Sequence, residues 1–271
     1  MMKRILFYMG ILLVVFYCCG PYLWQLITSL KPDTELTKLP PVFPEQITWS
    51  HYTLIFLERP FLRIILNSAV VASLTTALSI LIGSLGAFGL AKLGLRYKGI
   101  ILGFVLSVSM FPPIATVSPL YLVIRALGLR DTWWSLVLTY TTFTLPLSIW
   151  ILTSFFRKIP DDIYLAARID GCTPFQAFYR VMAPIAAPGI FTAAILVFIF
   201  AWNEFLFALT FTSTAASRTI PVAIALFPGL HEVPWGDIAA ASVVVTVPLL
   251  VLVFLFQRRI VEGLTAGAIK G

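Results

Sequence analysis

Six stretches of this chain are long and apolar enough to cross a lipid bilayer: residues 5–30, 66–91, 99–124, 133–156, 185–211 and 239–257. A spanning helix needs about 20 mostly apolar residues, because the hydrocarbon core offers no partner to backbone N–H and C=O groups and a helix satisfies them internally. In a chain of 271 residues these stretches leave no room for a large soluble domain. Charged residues make up 11%, against roughly a quarter in ordinary soluble domains, and the mean hydropathy is +0.96. The expected class is all-α: a polytopic membrane protein with six transmembrane helices, forming one transmembrane domain over residues 1–271.

The first stretch follows Lys3-Arg4, as a signal peptide would. It runs too far and meets no small-residue cleavage site, so it reads as an uncleaved first span. The third stretch carries Pro112, Pro113 and Pro119. Prolines at membrane depth need neighbouring helices or water to satisfy the freed carbonyls, which predicts a helix inside a bundle or beside a cavity. In the second stretch Gly83, Gly86 and Gly89 predict close helix packing. Between the first two spans, the turn with Pro40, Pro41 and Pro44 leads to an aromatic stretch at 52–57, expected to lie at the interface.

Lys and Arg set the orientation. With the N-terminus in the cytoplasm, that side holds twelve cations and four acids, and the outer side holds seven of each. Both termini are therefore expected inside. Charge confined to short loops beside spans gives no reason to expect nucleic acid. Cys18 and Cys19 lie in an apolar run and Cys172 in an inner loop, so reduced thiols are expected rather than a disulfide framework. His51 and His231 stand apart, without the spacing of a metal site, and no cofactor is expected.

The longest inner loop, residues 157–184, spells two short helices. Pro160, Asp161 and Asp162 suit a helix start, where carboxylates meet the positive end of the dipole. Ala166 and Ala167 propagate it, and Gly171 supplies a left-handed cap. Thr173, Pro174 and Gln176 make a capping box with proline at the first helical position. Phe175, Phe178, Tyr179 and Met182 then form one apolar stripe, and Pro184 ends the helix. Such a stripe must be buried, either on the chain's own bundle or on a partner.

This loop resembles the coupling segment of ABC importer permeases, whose pattern is Glu-Ala-Ala, three residues, Gly, nine residues, then Ile-x-Leu-Pro. Leu165-Ala166-Ala167, Asp170-Gly171 and Val181-Met182-Ala183-Pro184 keep that spacing, with Leu165 in place of Glu and Ala183 in place of Leu. The stretch 200–209, with Trp202-Asn203-Glu204, resembles the sugar-uptake branch, as do Met110-Phe111-Pro112, Pro119-Leu120-Tyr121 and the tail 263–271.

The resemblance implies a type I ABC importer permease fold in the bacterial inner membrane. It points to the shorter subunit of a maltose-type heterodimer, carrying a disaccharide or glycoside of the maltose, trehalose or glucosylglycerol kind. The implied partners are a second permease, two ATP-binding cassette ATPase subunits and an extracytoplasmic sugar-binding protein. Leu165, Ala166, Ala167, Asp170, Gly171 and Pro184 would then belong to the ATPase-coupling loop.

The chain has no Gly-x-x-x-x-Gly-Lys-Ser/Thr phosphate loop, so the reading is non-catalytic, with hydrolysis by partners. Glu204 is the one acid expected deep in a span. Trp202, Asn203 and Glu204 could line the pathway, or anchor the interface with the second permease. Glycerol phosphate is an alternative solute. An ion-coupled carrier would want more intramembrane charge, and a membrane enzyme would want a catalytic constellation.

Overall fold

The computed structural model describes residues 2–36, 42–227 and 233–265. Pro40, Pro41, His231 and residues 266–271 lie outside them. All regular structure among the described residues is helical. The long helices are α1 (Met2–Ser29), α2 (Phe61–Lys92), α5 (Trp133–Lys158) and α11 (Trp235–Thr265). Four helices are long and apolar enough to cross a membrane: Lys3–Ser29, Phe61–Lys92, Trp133–Lys158 and Trp235–Gln257.

The remaining spans are broken. Helix α3 (Lys98–Val108) meets α4 (Pro113–Ala126) at 87°. Pro112 there takes an extended conformation (ψ 124°), and Pro113 opens α4 at a position where a missing N–H costs nothing. Pro119 sits inside α4. The second bent pair is α7 (Pro174–Ile185) and α8 (Ala187–Asn203), at 81°. Among the described residues, length and composition thus allow four spans, or six if each bent pair counts as one. The fifth apolar stretch, 185–211, is not one helix. It stops at Asn203 and resumes as α9 (Leu206–Phe211).

The contacts divide the chain into two compact units. One comprises Met1–Arg63 and Ala223–Val251, and includes α1, α10 (Ile220–Ala225) in part, and the first half of α11. Residues 50–58 are helical within it, with Phe56 and Leu57 exposed as an interfacial segment would have them. His51, solitary in sequence, is buried here. Its Nε2 donates to the Lys31 carbonyl at 2.9 Å, and its Nδ1 lies 2.8 Å from an oxygen of buried Asp237. Arg59 approaches the other Asp237 oxygen at 3.6 Å and covers the Phe227 ring.

The other unit comprises Ile64–Val222 and Leu252–Gly271. Its core is α5, which turns Ser135, Thr139, Thr141, Thr144, Ser148 and Thr153 inward. The hydroxyls of Ser135, Thr139, Thr144 and Ser148 donate to carbonyls three or four residues back, and Thr144 also meets Ser79 of α2 at 2.7 Å. Small residues bring α2 and α5 together: a Cβ on Gly83 would stand 3.0 Å from the Ser148 Cβ. Leu62, Leu66, Leu81 and Leu85 of α2 face outward, the reverse of a soluble helix, because lipid tails solvate Leu as well as a protein core does.

Candidate functional site

The loop 157–184 forms the two-helix element expected of it. α6 (Asp161–Ile169) starts after Pro160 with Asp161 and Asp162 in its first turn. It ends in a Schellman motif. The Cys172 N–H donates to the Ala167 carbonyl at 3.0 Å and the Gly171 N–H to the Arg168 carbonyl at 3.2 Å, while Gly171 takes a φ of +86°. The Thr173 capping box closes as read: the Gln176 N–H donates to Thr173 Oγ1, and the Thr173 N–H to Gln176 Oε1.

Beyond it α7 departs from the expectation. Only Pro174–Ala177 is α-helical, and Phe178–Met182 opens into a π turn before the helix resumes at Ala183–Ile185. Pro184 does not end this helix; it sits within the last turn, and the break falls at Ala186. A proline in an α-helix drives its ring into the carbonyl four residues back, here Arg180, and widening that turn relieves the clash. The π turn also divides the apolar stripe. Phe178 and Met182 are buried, whereas Phe175 and Tyr179 are exposed.

The buried half belongs to an aromatic cluster. Phe88 of α2 meets Phe178 at 5.3 Å, Tyr164 at 5.7 Å and Phe156 of α5 at 6.0 Å between ring centroids. Leu152, Met182 and Ala193 fill the space around them. Ala167 is buried in this chain, so its lack of bulk serves internal packing. Leu165, Ala166, Ile169 and Asp170 point away, and Ile169 is 86% exposed.

Trp202, Asn203 and Glu204 sit together at the break between α8 and α9. Trp202 is buried and stacks on Phe198 at 5.6 Å. Asn203 is exposed, its amide donating to the Ile199 carbonyl. Glu204 stands outside both helices, with ψ at 131°. Its carboxylate accepts the N–H groups of Phe207 at 3.0 Å and Ala208 at 3.2 Å, and so caps α9. The expectation of an acid within a continuous helix is corrected here: the side chain satisfies orphan amides that the break itself creates. A cavity of about 430 Å³ opens beside it, lined by Ser109, Phe111, Phe143, Phe200, Glu204 and Phe205 among others. It adjoins the α3–α4 break, so both interrupted spans contribute to one site. Of the polar residues on α5, Tyr140 and Thr141 are buried and Thr142 is exposed.

Two anchors of the segment 213–218, Asp131 in a turn and Asn67 on α2, went unread in the sequence. Asp131 (φ +59°) precedes α5 and receives the Ser213 and Thr214 N–H groups and the Thr214 and Ser217 hydroxyls. Burial works against its charge, but these bonds, Ser217 foremost, outweigh it and hold the carboxyl down at about 2. Asn67 donates to the Ala215 and Arg218 carbonyls and accepts from the Trp133 indole. Segment 213–218 is thereby held at both ends. Asp-Thr and Asn-Ser pairs are common, and their partners lie up to 151 residues away, so no local signal marks them. Among the described residues no group of three or more His, Cys, Asp or Glu side chains could hold a metal ion.

The sequence profile described as binding-protein-dependent transport system inner membrane component matches residues 79–265. The chain belongs to this family. It is 48% identical over 261 residues to the trehalose transport system permease protein SugB of Mycobacterium tuberculosis, covering 96% of this chain and 95% of that one. It is 47% identical to the sulfoquinovosyl glycerol transport system permease protein SmoH of Agrobacterium fabrum, over 93% and 88% of the two chains. It is 42% identical to the trehalose/maltose transport system permease protein MalG of Thermococcus litoralis, over 100% and 98%. Its fold matches the crystal structure of a bacterial ABC transporter involved in the import of the acidic polysaccharide alginate, with a TM-score of 0.80 at 19% identity over 94% and 96% of the chains. This is the type I importer permease fold of a multi-pass inner-membrane component. The family's profile spans the broken helices, the aromatic cluster and the whole of the loop 157–184.

Proposed function

We propose that this chain is one of two membrane-spanning subunits of an ATP-driven sugar importer, a single permease domain over residues 1–271, and that residues 157–184 are its coupling segment. The observation that carries the reading is the geometry of α6. It is capped at both ends, glued to α2 and α5 on one side, and presents Leu165 and Ile169 to solvent on the other. Exposed apolar side chains on a rigid element call for a partner groove. Energy must enter there, because the chain carries no phosphate-binding loop of its own. Two ATPase subunits would close under one such segment on each permease and rock the spans between outward-open and inward-open states.

Leu165, Ala166, Ile169 and Asp170 form the docking face in this reading. Ala167 and Gly171 shape it from within, and Pro184 shapes the turn that follows. The termini and the loop lie in the cytoplasm, by the excess of Lys and Arg on that side. An extracytoplasmic binding protein delivers the solute. The substrate class is a disaccharide or glycoside, supported by relatives named for trehalose, maltose and sulfoquinovosyl glycerol. Glu204 serves the helix break, and the aromatic cavity beside it faces the pathway or the second permease.

The test is reconstitution of the complete transporter in liposomes with its binding protein. Uptake of labelled trehalose or maltose is expected to require ATP and to survive a protonophore. Uptake that collapses with the ion gradient and ignores ATP would overturn the proposal.

A further inference from the structure

Lys92, the last residue of α2, was only a topological charge in the sequence, yet its side chain is 2% exposed. Its Nζ donates at 2.5 Å both to the carbonyl of Ile159, the residue that caps α5, and to the carboxylate of Asp161, the first residue of α6. A single ammonium therefore joins the ends of three helices. Each contact is favourable on general grounds: a cation meets an orphan carbonyl at one C-terminus and a first-turn carboxylate at the next N-terminus. The Asp161 carboxyl is held below its usual range by this hydrogen bond and by the Lys92 charge.

Besides Lys92, α6 is held by Ile163 and Tyr164 packed against the aromatic cluster and by its contacts with α7. Ala167 is its one buried residue. Tyr164 joins the aromatic cluster through Phe88, which lies one turn before Lys92 on the same face of α2. Two points on α2 thus grip α6: Phe88 near its middle and Lys92 at its start. With the aromatic grip alone, a load on the exposed face of α6 would tilt that helix about Tyr164. With both, the load passes to α2.

We propose that Lys92 is a positioning residue of the transport stroke, which locks α6 to the inner end of α2 so that movement of the ATPases becomes movement of the span. The proposal rests on the reading of residues 157–184 as the coupling segment. It separates two quantities that a merely structural role would move together, ATPase docking and uptake per ATP. The docking face at Leu165, Ala166 and Ile169 does not include Lys92.

The experiment uses the complete transporter in liposomes, with hydrolysis and uptake of labelled trehalose or maltose measured on the same preparation. Lys92→Met is expected to co-purify with the ATPase subunits at wild-type ratio and to hydrolyse ATP within about twofold of wild type. Its uptake per ATP is expected to fall about tenfold, the scale of a typical coupling free energy. Lys92→Arg keeps the charge and donors and is expected to recover at least half of that ratio. Should Lys92→Met fail to accumulate, Asp161→Ala decides. Its carboxylate is 77% exposed, so folding survives, and uptake per ATP is expected to drop about threefold. An unchanged ratio in either folded variant overturns the proposal, as does loss of ATPase association by either. Gly171→Val separates this from failure of the parent reading. If that variant keeps its ATPases and full uptake, the coupling assignment itself falls.

Discussion

Gly171 adopts a φ of +86° in open surroundings, with no atom near the place a Cβ would take. The requirement for glycine there is conformational and not a matter of space. A β-branched residue costs about 1–2 kcal/mol in that region. It would also redirect Thr173 and the capping box behind it. Gly171→Val is expected to leave membrane levels normal but to lose ATPase co-purification and uptake together, with Gly171→Asn milder because Asn tolerates the left-handed region.

At Ala167 the structure changes what a substitution reports. Arginine there would disrupt the chain's own packing, so Ala166→Arg is the cleaner probe of a partner groove. At Asp131 the folded carboxyl titrates at about 2 and an unperturbed one at 3.8. Between those values the unfolded state binds a proton that the folded state refuses, so this contribution to stability is full above the ordinary value and lost as pH falls through the folded one. The thermal midpoint of the detergent-solubilised protein is expected to fall more steeply between about pH 4 and pH 2 in wild type than in Asp131→Asn, which has no charge to lose.

Among the elements, the helices that break do so where side chains compensate. α8 stops at Asn203, and the Glu204 carboxylate takes up two amides of α9. Glu204→Leu leaves those N–H groups without that acceptor, and is expected to cost about 1–3 kcal/mol in thermal stability. Glu204→Gln keeps an acceptor oxygen and is expected to stay close to wild type in stability and uptake. Loss of uptake by a stable Glu204→Gln would assign the carboxylate to the pathway instead. The π turn at Phe178–Met182 works by similar logic, since it accommodates Pro184 and turns Phe175 and Tyr179 out of the cluster that Phe178 enters. A period of 3.6 residues was visible in the sequence; the widened turn that splits the stripe was not, because the proline that favours it comes after the stripe.

On the scale of the whole molecule, the orientation can be tested at a single thiol. Cys172 lies in the turn between α6 and α7, while Cys18 and Cys19 are exposed on α1. In a Cys18→Ser/Cys19→Ser background, a membrane-impermeant maleimide is expected to label Cys172 in inside-out vesicles and not in right-side-out ones. The reverse pattern would invert the topology.

The sequence by itself determined the helical class, the apolar stretches, the proline interruption of the third stretch, and the caps of the loop 157–184. Each of these depends on residues within a turn or two of one another, or on bulk transfer to lipid. Only the tertiary structure decided which faces are buried. In lipid, Leu and Ile gain nothing by turning inward, so helices such as α2 and α5 hide Ser, Thr and Gly, and an apolar period does not mark their core. It also decided the roles of Lys92, Asn67, Asp131 and His51. Their hydrogen-bond partners are carbonyls, carboxylates and amides brought close by folding from between 20 and 186 residues away, and no local pattern encodes that proximity.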